Sequence, residues 1–164
     1  MAGYGDDNGF KAYAQNAGYV LPGGTTDPQI ASARQRGALV IDRFEQRFSG
    51  TRTGGFQQER AWPRTGAATH WGEAIPADVI PVAIVNASYE AAFLELVNPG
   101  SLSPVVTGSG QVKREKVGPI EVEYQSGSSS SAEDVAAFAT PIVTAINGML
   151  WPFLTPIVPG ALVV

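Results

Sequence analysis

The sequence predicts a mainly α fold: a small helical bundle of three to four helices, with a β-hairpin insertion and an extended C-terminal tail. Three observations predict it. Apolar residues recur at spacings of three and four through residues 30–48 and again through 80–94, the period of a helix with one buried face. Residues 112–124 alternate instead, about a central Gly118-Pro119, as paired strands do. Pro152, Pro156 and Pro159 interrupt the apolar end of the chain, which therefore cannot be one regular helix.

The elements follow in order. Residues 1–9 are glycine-rich and polar and read as a loose arm. Residues 10–21 predict a short helix with Phe10, Tyr13, Ala14 and Ala17 on one face and Gly18 as its stop. Pro22-Gly23-Gly24 is a break. Thr26 or Asp27 then caps a long amphipathic helix with Pro28 in its first turn. Ile30, Ala33, Gly37, Val40, Ile41, Phe44 and Phe48 form its apolar stripe, and Gly50 ends it. Residues 51–74 lack a sustained period and predict a long ordered loop, which in a compact domain usually has a task. A second, more apolar helix is predicted over about 76–97, starting at Pro76 or near Pro81 and ending at Asn98-Pro99-Gly100. Being apolar on most faces, it is the expected central helix. After a Ser/Gly/Pro linker comes the hairpin, whose basic arm (Lys113, Arg114, Lys116) can pair with its acidic arm (Glu121, Glu123). A third helix is predicted from Ala132 to about Leu150, kinked at Pro141. The expected organisation is an N-terminal arm with a short helix over 1–24, a helical body over 25–150 with its hairpin at about 111–124, and a tail over 151–164.

Composition excludes several classes of chemistry. The chain has 164 residues, no cysteine and one histidine, His70. Thiolate metal sites, iron–sulfur clusters, disulfide scaffolds and multi-histidine centres are therefore not expected, and neither is a bound cofactor or metal. No phosphate-loop, dinucleotide or nucleophile-elbow motif occurs in a suitable context, so no enzyme is expected. The net charge of −4 makes a poor generic nucleic-acid binder. No basic, apolar leader opens the sequence, so no secretory signal is expected.

Four local features have sharper readings. Arg34, Arg36, Arg43, Arg47, Arg52, Arg60 and Arg64 fall in one stretch; they read first as a solvated, intrahelically paired face and second as a phosphate-facing stripe. Trp62-Pro63-Arg64 is a structural loop motif, with Trp62 plugging the loop onto the core. His70 with Glu73 or Asp78 resembles a base and its orienter, but no nucleophile accompanies them, and a loop histidine is the plainer reading. Residues 135–164 contain no ionisable side chain. Four prolines argue against a membrane span there, and an apolar tail of this size points instead to a partner interface.

Ala61-Trp62-Pro63-Arg64-Thr65-Gly66, Ile75-Pro76 opening an alanine-rich helix, and the run Val112–Tyr124 occur in an order and spacing that resembles a family of small tailed-phage proteins labelled DnaT-like. Members of that family are similar to head–tail connector proteins, also called adaptor or head-completion proteins. The resemblance covers about residues 30–150. It implies a structural virion protein in the neck between capsid and tail, present in the host cytoplasm during assembly. It also implies a homo-oligomeric ring, usually of twelve copies, beneath the portal, extending the DNA channel and meeting a stopper or tail component. In that setting Leu150, Trp151, Phe153, Leu154, Ile157 and Val158 are the expected portal contacts. Lys113, Arg114, Lys116, Glu121, Glu123 and Tyr124 are expected to reach a neighbouring subunit or the tail, and the arginines of 34–64 to line the channel or pair with a neighbour's acids. Non-specific contact with channel DNA is expected, and no membrane. A subunit cut after Met149 is expected to fold without docking.

The alternative, from the same family label, is a primosomal protein that binds single-stranded DNA. That role needs aromatic residues on a basic groove, and Trp62 and Trp71 with Arg60 and Arg64 are its candidates. A third reading attaches the C-terminal run to a membrane.

Overall fold

The computed structural model describes residues 3–103, 114–117, 120–123 and 144–155. The chain divides into two units: Met1–Leu102 with Ile142–Val164, and Ser103–Pro141.

In the first unit, α1 (Asp7–Asn16) is capped by Asp6, whose Oδ1 accepts from the Gly9 N–H at 2.8 Å. α2 (Asp27–Asp42) has Thr26 as its N-cap and Pro28 in its first turn, and Gln29 Oε1 accepts from the Thr26 N–H at 2.8 Å. α3 (Val82–Val97) begins directly after Pro81, because proline ends the extended approach and cannot donate within a helix interior. α4 (Thr144–Leu150) runs into a 3₁₀ turn at Trp151–Phe153.

The core forms where α2 crosses α3 along a seam of small residues. Ala33, Gly37 and Ala38 meet Ala87, Ser88, Ala91 and Ala92, all buried. Backbone meets backbone there: a Cβ on Gly37 would lie 2.5 Å from the Ser88 carbonyl oxygen and 2.6 Å from the Ala92 nitrogen. Ile41, Ile84, Ile146 and Leu150 fill the space beside the seam, with α4 packed on α3. Phe10, Ile30 and Tyr89 join α1 to the other end.

Four expectations are corrected here. The segment before α1 is docked rather than loose. Tyr4 is 2% exposed; its hydroxyl donates to Asp42 Oδ1 at 2.6 Å and accepts from the Trp62 N–H at 3.2 Å. α2 ends at Asp42 and not near Phe48. The Asp42 carboxylate turns inward to Tyr4, Arg60 (2.9 Å) and the Ala61 N–H (3.0 Å). The chain then bends through a 3₁₀ turn at Glu45–Arg47 that lays Phe48 edge-on to Trp62 at 5.5 Å. The loop over 51–74 contains a short antiparallel pair, β1 (Thr51–Arg52) with β2 (Arg64–Thr65). Finally, the tail does not leave the body at Trp151. Leu154 pairs with Phe48 in a β-bridge, and the Thr155 N–H donates to the Arg47 carbonyl at 2.7 Å.

In the second unit, β3 (Arg114–Val117) and β4 (Ile120–Glu123) form the antiparallel hairpin that the alternation predicts. Its register sets position Arg114 opposite Glu123 and Lys116 opposite Glu121, the charge-complementary arrangement. Lys113, Tyr124, the helix predicted from Ala132 as far as residue 143, and Ile157 and Val158 lie outside the described residues. Among the described residues, no helix is long and apolar enough to cross a membrane, and no group of three acidic or histidine side chains could hold a metal ion.

Candidate nucleic-acid interface

The arginines predicted for a solvated face or a phosphate-lined stripe are largely turned inward. Arg34, Arg60 and Arg64 are buried. Arg34 pairs with Asp7 and donates to the Gly5 carbonyl. Arg60 pairs with Asp42. Arg64 donates to the carbonyls of Ser49 (2.8 Å), Gly50 (2.6 Å) and Ala61 (3.1 Å), and it shares Glu45 with Arg52. Hydrogen bonding from Arg52 holds the Glu45 carboxyl below the usual carboxylate range. Arg36 pairs with the buried Glu95, and Arg43 donates to the Leu102 carbonyl at 2.6 Å. These groups staple turns together within one chain, and the buried Arg34, Arg60 and Arg64 are not on the surface to line a channel.

Two acids in α3 are satisfied in different ways. Glu95 accepts from the N–H groups of Gly100 (2.8 Å) and Leu102 (3.0 Å), closing the helix end. Glu90 accepts from the hydroxyls of Tyr13 and Tyr19, each at 2.9 Å. Burial first, and then the hydrogen bond to Glu90, pushes the Tyr13 phenol well above its ordinary value.

The single-stranded-DNA candidates divide. Trp62, Arg60 and Arg64 are interior and cannot meet a base or a phosphate. Trp62 packs edge-on against Phe48 and Phe153, its bond to the half-buried Pro63 is cis, and it anchors the loop. Trp71 is 69% exposed. It sits at the tip of a turn built by short-range pairing: the Thr69 N–H donates to the Glu73 carbonyl at 2.8 Å, Thr69 Oγ1 accepts from the Glu73 N–H at 3.1 Å, and Gly72 adopts φ 85°. Ser49 Oγ bonds both backbone groups of Ala68 at 2.9 Å, and the His70 N–H donates to the Pro152 carbonyl at 2.6 Å. The turn is therefore fixed to the body at two points.

The second tether brings Trp151 alongside. In the 3₁₀ turn Phe153 faces the core while Trp151 remains 52% exposed. The Trp71 and Trp151 rings are 5.6 Å apart in an edge arrangement, and His70 lies 4.8 Å from Trp151 and 6.2 Å from Trp71. The result is an exposed surface of three ring systems on a rigid mount. Such faces stack on nucleobases irrespective of sequence. Sequence reasoning missed this pairing because Trp71 and Trp151 lie far apart in the chain. The available signal was the aromatic pair His70-Trp71 followed at once by a turn glycine.

Of the expected portal contacts, Leu150 and Leu154 are interior, Phe153 is half-buried against the core and Trp151 is exposed. Leu150 and Leu154 complete the chain's own core and so are not available to a partner.

Residues 3–161 match the family described as "Putative DnaT-like ssDNA binding protein". The chain belongs to this family. No curated protein matches it, and no solved structure does.

Proposed function

We propose that this protein binds single-stranded DNA through the His70–Trp71–Trp151 surface, by base stacking more than by phosphate contact. The observation that carries the reading is the pair of exposed, rigidly mounted indoles 5.6 Å apart. The family description supports it. Among the described residues, Lys11, Arg34, Arg36, Arg52, Arg60 and Arg64 each already hold a carboxylate, which favours stacking over phosphate contact at this surface. No catalysis is assigned. The test is quenching of tryptophan fluorescence by an oligothymidylate. Trp71→Ala and Trp151→Ala should each weaken binding by about 1–3 kcal/mol, the usual worth of one stacked base. Unchanged affinity in both variants ends the reading.

A second reading is a head–tail adaptor of a tailed-phage virion, assembled as a ring beneath a portal. Large apolar side chains left in solvent favour it: Phe56 is 93% exposed and Val82 73%, with Leu39 and Val97 also exposed. Uncovered apolar surface commonly marks a protein interface. Light scattering of the purified chain and co-sedimentation with portal rings test it. A stable monomer that stays out of the portal fraction ends it.

A further inference from the structure

Histidine is the side-chain type whose charge changes between pH 5 and 8, and this chain has one, placed within the aromatic surface. His70 is exposed, and its ring is tilted over Trp151 at 4.8 Å. A neutral imidazole there is one more flat ring for a base to rest on. A protonated one is a cation held beside two indole rings, which favour a positive neighbour. The segment 144–155 packed against it has no ionisable side chain. Its own turn brings Glu73, whose backbone closes the turn. Arg47 contributes its carbonyl, which holds Thr155 in place.

Resting on the single-stranded-DNA reading above, we infer that His70 is a proton-controlled phosphate contact within the stacking surface. When uncharged it only stacks. When protonated it adds a cation to a surface that otherwise offers rings, and the sugar–phosphate backbone of a stacked strand supplies the anion. Acidification then strengthens binding and makes it more salt-dependent, because one further phosphate is neutralised and its counterion released.

The experiment is fluorescence anisotropy of a labelled oligothymidylate with the full chain, across a salt series, at about pH 5.5 and about pH 8. Affinity should rise roughly fivefold at the lower pH, the upper range for one exposed charge pair. The slope of log affinity on log salt should steepen by about 0.7, the value for one phosphate on a single strand. His70→Gln should abolish the difference between the two pH values, whatever its own affinity. His70→Lys should show the steeper slope at both. A pH difference that survives in His70→Gln, or an unaltered slope in the wild type, overturns the inference while the stacking reading stands. Binding indifferent to Trp71→Ala and Trp151→Ala, or no binding at either pH, removes the stacking reading and the inference with it.

Discussion

Tyr4 shows how much a single side chain can bind together. Its hydroxyl bridges Asp42, at the end of α2, and the Trp62 N–H in the following loop. Tyr4→Phe leaves the buried Trp62 N–H and the half-buried Asp42 carboxylate each short of one partner, so we expect a loss of about 1–3 kcal/mol in urea unfolding. Tyr89 makes a comparable contact from the other side, its hydroxyl accepting from the Asp6 N–H and donating to the Asp6 carbonyl. That approach requires Gly5, which has φ 65° and where a Cβ would collide with the Tyr89 hydroxyl. Ionisation of Glu45, Tyr4 and Tyr13 makes stability depend on pH. Glu45 has a lowered folded pKa, so its contribution is present above the ordinary carboxylate value of 4.5 and is lost as pH falls through the folded one. Tyr4 and Tyr13 have raised folded pKa values, chiefly through burial, so their contributions persist below pH 10 and fade as alkalinity rises beyond it. Glu45→Gln should therefore flatten the acid limb of a plot of thermal midpoint against pH and leave the alkaline limb alone.

At the scale of elements, the α2–α3 seam and the C-terminal segment decide stability. Gly37→Val inserts a branched side chain where even a Cβ meets backbone at 2.5 Å. The helices must separate, and the variant should unfold well below the parent in a thermal melt. Leu150 is fully buried against α3, so Leu150→Ala should cost about 3 kcal/mol. That corresponds to roughly 6–12 °C in midpoint for a chain of this size. Cutting after Met149 removes Leu150, Phe153, Leu154 and the Thr155–Arg47 bond together. The truncated chain should lose cooperative unfolding by circular dichroism, whereas a cut after Thr155 retains all of these contacts. This reverses the expectation that the body folds without its last residues.

For the whole molecule, the governing fact is where the charges go. The chain carries −4 overall, and its buried arginines face carboxylates and carbonyls of the same unit. Long-range attraction to a polyanion is therefore weak. Single-strand binding by this protein should show a shallow salt dependence near neutral pH. A slope corresponding to many neutralised phosphates would mean that another, basic surface does the binding.

Much of the architecture was legible in the residues themselves. The helix positions follow from apolar spacing at Ile30–Ile41 and Ile84–Leu94, and the hairpin from alternation about Gly118-Pro119, whereas the start of α3 was legible only as a choice between Pro76 and Pro81, of which the structure takes Pro81. These signals are local, since a helix or strand face is written in neighbours two to four residues away. The end of α2, the docking of Tyr4, the inward turn of Arg60 and Arg64, and the meeting of Trp71 with Trp151 were not legible. Each depends on a partner distant in sequence. A buried polar group takes whichever partner the folded chain brings within hydrogen-bond reach, because leaving it unpaired costs more than bending a helix. The sequence alone thus determined where the bodies of α2 and α3 and the hairpin lie. Only the tertiary structure decided which arginines are interior and which aromatic rings remain free to meet a ligand.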